Sequence, residues 1–135
     1  ALCAVCHRFD GAGGDIGPDL TAVASGFSRR DLLTTILEPS RDISDQYQST
    51  SLKLRDGSSV SGRIAREDQS SVEVVIEPVS GQSRVIARED IVARGASTIS
   101  PMPQGLLNLL TLEEVLDLFA WLEAGGNRNH PAFGK

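Results

Sequence analysis

The hydrophobic pattern of this 135-residue chain changes its period twice, which constrains the fold more than any other feature. Before about residue 43 and after about residue 100, apolar residues recur at helical spacing. Between them, short runs rich in β-branched residues alternate with polar residues. The pattern predicts an α+β fold, in which a mostly helical module (residues 1–45 and 98–135) is interrupted by a small five-stranded antiparallel β-barrel or sheet (residues 46–97).

The inserted segment divides into five strands of the size found in SH3-like or Sm-like barrels. The predicted strands span residues 49–54, 60–66, 71–77, 84–87 and 91–94. The pairs Asp56-Gly57 and Ser80-Gly81 are typical of tight turns between antiparallel strands.

Two helices carry clear start signals. Ser28 with Asp31, and Thr111 with Glu114, have the spacing of a capping box, in which side chains bond the free N–H groups of a first turn. Gly125-Gly126 predicts the end of the second helix. That helix carries an apolar stripe formed by Leu112, Val115, Leu116, Phe119 and Leu122.

The net charge of −5 argues against nucleic acid or an anionic membrane surface as the main partner. The apolar runs are too short to cross a bilayer, so we expect no transmembrane segment. Between Lys53 and Arg94, seven basic and seven acidic residues cancel, and the rest of the chain carries the whole −5. A partner that docks on the helical module should therefore present a positive patch.

Both cysteines of the chain lie in Cys3-Ala4-Val5-Cys6-His7, which has the spacing of a c-type haem attachment site. Two thiols one helical turn apart reach the two vinyl groups of the porphyrin, and the next residue, His7, then lies under the iron. Zinc is an alternative, with His130 as fourth ligand, although adjacent Cys6 and His7 suit a tetrahedron badly. A thioredoxin-like dithiol would need a βαβ context, which the pattern lacks.

Two further residues fit an iron site. Pro18 follows the motif after a glycine-rich loop, where its carbonyl can accept the Nδ1–H of His7. Met102 is the only methionine, lies between two prolines, and is a suitable distal ligand, although packing is the common role of methionine. His130 is the rival sixth ligand and is expected to lie in solvent within a loose C-terminal tail.

In their order, these motifs resemble those of a class I c-type cytochrome. More closely, the chain resembles a bacterial haem-binding domain family found at the C-terminus of large exported multidomain proteins. The resemblance covers nearly the whole chain and rests on the segments 3–7, 17–21, 36–40, 43–47, 56–57, 62–64 and 102–107. It implies one covalent haem c, contacted by Cys3, Cys6, His7, Pro18, Leu20 and Met102.

The resemblance implies electron transfer rather than enzymatic catalysis, with a fused dehydrogenase domain or a separate redox protein as partner. Covalent haem attachment requires export, so we expect a periplasmic or otherwise exported protein whose signal peptide lies upstream of Ala1. The alternative is a haem-based sensor or ligand-binding domain with a labile distal ligand. Ordinary class I cytochromes have a full helix before the motif, whereas only Ala1 and Leu2 precede Cys3 here.

Overall fold

The computed structural model describes residues 2–133, and its Cα positions divide the chain into two compact units. Unit 1 comprises Ala1–Asp42 and Met102–Lys135, and unit 2 comprises Ile43–Pro101. Of the helices within residues 2–133, none is long and apolar enough to cross a membrane.

The structure overturns the prediction of a mostly helical protein. Within the described residues, the strands contain more residues than the α-helices, and five strands form one antiparallel sheet. The α-helices are α1 (Val23–Gly26), α2 (Arg29–Leu37) and α3 (Leu112–Glu123). The strands are β1 (Arg8–Phe9), β2 (Ala12–Gly13), β3 (Thr50–Leu54), β4 (Ser59–Glu67), β5 (Ser71–Glu77), β6 (Gln82–Ala87) and β7 (Ile91–Ala96). Short 3₁₀ helices span Cys3–Val5, Arg88–Asp90, Leu106–Leu109 and Pro131–Phe133.

Part of the difference in helix content arises in the N-terminal region, where few residues before α2 are helical. Asp10, Gly11 and Gly13 all have positive φ, at 47°, 77° and 117°, which no right-handed helix accommodates. The chain instead makes a short antiparallel pair in which Arg8 of β1 lies opposite Gly13 of β2. The rest of the difference arises in unit 2, where segments of alternating apolar and polar residues form long strands.

Unit 2 is an antiparallel sheet with the strand order β6-β5-β4-β3-β7. Four consecutive strands form a meander, and β7 returns to pair with the free edge of β3. All five predicted strands are present, and Gly57 and Gly81 have the positive φ that their predicted turns require. One face of the sheet supplies the core, formed by Leu52, Leu54, Val60, Val72, Val74 and Ile86.

The long strand β4 pairs with β3 along residues 59–62 and with β5 along residues 63–67. At the changeover, Gly62 lies against β5 so closely that a Cβ would be 2.1 Å from the carbonyl oxygen of Val75. Only glycine allows the two backbones to approach to this distance.

One carboxylate ties the end of β4 to later segments. Glu67 Oε1 accepts hydrogen bonds from Arg88 Nη2 at 2.5 Å and from Arg94 Nη1 at 2.8 Å. Because Arg94 belongs to β7, which pairs with β3 and not with β4, this network joins strands that no backbone ladder connects.

The turn between β4 and β5 makes stability depend on pH. Asp68 Oδ1 accepts hydrogen bonds from the N–H groups of Ser70 and Ser71, which lower the pKa of Asp68 to about 2. Since the folded pKa lies below the unfolded one, the carboxylate stabilises the fold above about pH 4. That contribution is lost as the pH falls towards about 2.

We therefore expect Asp68→Asn to lower the urea midpoint of unfolding at about pH 7. The difference from the native chain should shrink as the pH falls below about 4 and should disappear below about pH 2, where the Asp68 carboxyl group becomes protonated in the folded chain as well. Asp45→Asn makes the same charge change in the same unit and controls for net charge. A midpoint difference for Asp68→Asn that stays constant across this pH range would contradict the assignment.

Unit 1 has its own core, which consists of Phe9 and Leu32 together with Phe119 and Leu122 of α3. Both predicted capping boxes are present, at the start of α2 and at the start of α3. Arg29 at the beginning of α2 and Glu123 at the end of α3 form a two-point ion pair, with Nη2 2.8 Å from Oε2. The pair links the two helices at the surface of the core.

Candidate functional site

The two cysteines lie on one tight turn. Residues Cys3–Val5 form a 3₁₀ helix, and the N–H groups of Cys6 and His7 both donate to the carbonyl oxygen of Cys3, at 3.2 and 2.9 Å. Both thiols are free and half-buried, and burial raises the pKa of the Cys3 thiol. Cys3 packs against the core of unit 1, so the turn has a fixed place in the fold.

The ring of His7 is oriented by a single strong hydrogen bond. Its Nδ1 lies 2.7 Å from the carbonyl oxygen of Pro18. A carbonyl oxygen can only accept, so Nδ1 carries the proton and donates it in this bond. In the neutral imidazole, Nε2 then keeps its lone pair and can bind a metal ion.

Gly17 lies directly against the same ring. A Cβ on Gly17 would lie 2.6 Å from Cε1 of His7, 2.9 Å from Nδ1 and 3.2 Å from Nε2. The N–H of Gly17 donates to the carbonyl oxygen of Cys6 at 2.8 Å, which holds the backbone in this position. A side chain at position 17 would therefore displace the imidazole.

The segment that carries the Pro18 carbonyl is fastened to the segment that follows His7; together they form the His7 loop (residues 7–21). The N–H of Leu20 donates to the carbonyl of Arg8 at 2.9 Å, and the N–H of Asp10 donates to Oγ1 of Thr21 at 2.8 Å. Thr21 in turn donates its hydroxyl and its N–H to Oδ1 of Asp19. These bonds lower the pKa of the Asp19 carboxyl group and keep it ionised.

The structure thus brings together Cys3, Cys6, His7 and Pro18, and it places Leu20, half-buried, in the same core as Cys3. Met102 is also half-buried and belongs to unit 1, as His7 does. The role of Met102 as an iron ligand stays a prediction.

The prediction that His130 lies in solvent is wrong. It is half-buried, its Nδ1 accepts the N–H of Ala132 at 3.2 Å, and its ring lies edge-on to Phe133 with centroids 6.3 Å apart. The Phe133 ring in turn contacts Trp121.

Within residues 2–133, no three His, Cys, Asp or Glu side chains converge as a structural zinc site requires.

Sequence reasoning missed the packing role of Gly17 and the hydrogen-bonding role of Thr21. A signal for Gly17 was present, because it directly precedes the predicted acceptor Pro18 in a glycine-rich loop. No comparable signal marked Thr21, whose partners Asp10 and Asp19 meet only when the loop closes.

The chain matches no protein-family model, and no curated protein matches it significantly.

Proposed function

We propose that unit 1 binds one haem c covalently through the thiols of Cys3 and Cys6, with His7 as the proximal iron ligand, and that the chain serves in electron transfer. The observation that carries the proposal is the 2.7 Å hydrogen bond between His7 Nδ1 and the carbonyl oxygen of Pro18. Such a bond fixes the tautomer and the ring plane of a ligating histidine and raises its basicity.

The other residues of the site fit this group. The two free cysteines have the spacing that thioether attachment needs, and Gly17 leaves room for the imidazole at the position where a side chain would displace it. When bound, the haem supplies one-electron chemistry at its iron. The chain holds the axial histidine in one orientation, with its free nitrogen directed away from Pro18.

Met102 is the distal ligand in this proposal. Its thioether favours the reduced state of iron, and its flanking prolines restrict the backbone on both sides. If His7 and Met102 both hold the iron, no coordination site would remain for a substrate, so we propose an electron carrier rather than an enzyme.

The proposed partner is a redox protein or a fused dehydrogenase domain with a basic docking surface. Unit 1 contains ten acidic and six basic residues, for a net charge of −4. The resemblance to the bacterial haem-binding domain family supports an exported, periplasmic setting, where covalent haem attachment takes place.

A pyridine haemochrome spectrum of the chain expressed with an exporting leader and haem-attachment machinery tests the proposal. Two thioether bonds give a characteristic α-band position, and Cys3→Ser or Cys6→Ser should shift it as one bond is lost. The double variant should lose covalent haem on denaturing gels. A native chain that carries no covalent haem under these conditions would refute the proposal.

Replacing Met102 by alanine should convert the protein to a form that binds external ligands. We expect the native ferrous protein to bind carbon monoxide slowly and the ferric protein to show a near-infrared sulfur-to-iron band. Met102→Ala should abolish that band and speed carbon monoxide binding, because it removes the proposed distal ligand.

His130→Ala is the matched control and should leave both signals unchanged. Loss of the band in His130→Ala but not in Met102→Ala would assign the distal position to His130. Rapid carbon monoxide binding by the native protein would refute the carrier assignment in favour of a sensor with a labile ligand.

A further inference from the structure

The turn that ends α3 contains two consecutive glycines with left-handed backbone. Gly125 and Gly126 have φ of 63° and 75°, and their N–H groups donate to the carbonyls of Leu122 and Trp121, at 3.1 and 3.0 Å. This is the pattern of a Schellman motif, which requires a left-handed residue only at the first position after the cap. Helix termination therefore explains why residue 125 is glycine, but it does not explain why residue 126 is glycine as well.

Both glycines lie against the His7 loop. A Cβ on Gly126 would be 2.8 Å from Cβ of Phe9, and a Cβ on Gly125 would be 2.6 Å from the carbonyl oxygen of Thr21. Phe9 is buried, and its ring also contacts Trp121, with centroids 6.4 Å apart. Neither contact can be relieved by rotating a flexible side chain, because the atoms approached are a Cβ and a backbone oxygen.

The two contacted residues lie close to the two partners of the histidine hydrogen bond. Phe9 is two residues beyond His7, and Thr21 is three residues beyond Pro18. The hydrogen bonds of Leu20 and Thr21 to residues 8 and 10 fasten these two segments together. The turn meets the two segments at different atoms, so a side chain at either glycine would displace one segment relative to the other and change the separation of His7 Nδ1 and the Pro18 carbonyl.

We propose that the Gly125-Gly126 turn is a positioning element that sets the length of the His7–Pro18 hydrogen bond. The consequence for iron rests on the proposed haem function. A longer bond makes His7 a weaker base, which destabilises the ferric state relative to the ferrous state and raises the reduction potential. The turn acts through Phe9 and Thr21, the residues that a Cβ at its two glycines would approach.

The test compares Gly126→Ala with Gly81→Ala, and Gly125→Asn with Gly57→Asn. Gly81 and Gly57 have similar positive φ, at 73° and 87°, but a Cβ at either position has no atom within 4 Å. These controls carry the cost of a side chain in left-handed backbone without any contact. Asparagine tolerates that backbone, so Gly125→Asn isolates the contact with Thr21 from the strain.

Two measurements report on the hydrogen bond. In the haem-free chain, the ¹⁵N and Nδ1–H resonances of His7 should shift in the direction of a weaker hydrogen bond in both turn variants. In the haem-loaded chain, the reduction potential should rise in both. The two controls should match the native chain in both measurements. Circular dichroism establishes that each variant is folded.

Folded turn variants with native His7 resonances would overturn the proposal. If Gly126→Ala and Gly125→Asn fail to fold, Thr21→Val provides the test. It removes the two hydrogen bonds of the Thr21 hydroxyl, to the N–H of Asp10 and to Oδ1 of Asp19, without adding a heavy atom, and it leaves the bond from the Thr21 N–H to Asp19 in place. Native His7 resonances in Thr21→Val would then overturn the linkage. Since the haem-free measurement needs no cofactor, failure of the haem assignment is distinguishable from failure of this proposal.

Discussion

Replacing Gly17 by alanine should abolish the hydrogen bond between His7 and Pro18. The new Cβ would lie 2.6 Å from Cε1 of the imidazole, and the Gly17 backbone cannot retreat because its N–H is bonded to the Cys6 carbonyl. The ring must therefore rotate or shift, which breaks the 2.7 Å bond to Pro18. Loss of a hydrogen-bond partner of a metal-ligating histidine typically lowers metal affinity or activity 10- to 100-fold. We therefore expect Gly17→Ala to lower the yield of haem-loaded chain with native ligation by about 10- to 100-fold.

The measurement is the yield of haem-loaded chain with native axial ligation, judged from the haemochrome content and the sulfur-to-iron band. In the haem-free chain, the Nδ1–H resonance of His7 should also disappear through rapid exchange with water. Gly26→Ala is the matched control, since a Cβ there has no atom within 4 Å and its backbone is helical. Equal yields and equal His7 resonances in the two variants would show that Gly17 does not position the ring.

Features encoded over a few residues could be predicted from the sequence. Ser28 with Asp31, and Thr111 with Glu114, form capping boxes because the partners are three residues apart and need only one helical turn to meet. The turn at Asp56-Gly57 is similarly local, since glycine supplies the positive φ that the hairpin needs.

The fold class could not be predicted, because it depends on element lengths and on which faces are covered. The apolar stripe on α3 shows the difficulty: Phe119 and Leu122 are buried, at 8% and 4% exposed, whereas Leu112 and Leu116 are 76% and 60% exposed. Helical periodicity identifies an apolar face but not how much of it another element covers. The glycine-rich loop was predicted correctly, but the helices on either side of it are short, with three residues at Cys3–Val5 and four in α1, so helix content was overestimated.

The same distinction between local features and contacts of distant segments applies to the candidate site. The bond from His7 to Pro18 could be predicted, because the acceptor was inferred from what a ligating histidine needs. Haem attachment at Cys3 and Cys6 stays a prediction. The contacts of Gly17 and Gly126 were not predicted. Gly17 meets His7 only when the loop closes, and Gly126 meets Phe9 only when the end of α3 packs against that loop. Close backbone approaches of this kind leave no periodic signal in a single sequence.

Alanine at position 62 should destabilise unit 2 strongly. The Cβ would lie 2.1 Å from the carbonyl oxygen of Val75 and 2.8 Å from Cγ1 of Val74, which is fully buried. Relief requires β4 and β5 to separate, and this would disturb both the backbone ladder and the core beneath it. Overpacking of a well-packed core costs about 1–3 kcal/mol, and contact with backbone places this variant near about 3 kcal/mol.

Gly95→Ala is the control, because it adds the same methyl group to β7 of the same sheet with no atom within 4 Å. We expect it to change the free energy of unfolding by less than about 0.5 kcal/mol. Urea unfolding of the full chain gives both values, and hydrogen exchange at Leu52 and Val74 locates the loss in the sheet. A Gly62→Ala variant as stable as Gly95→Ala would mean that β4 can move off β5 at little cost, and that glycine at the changeover is not what brings the strands so close.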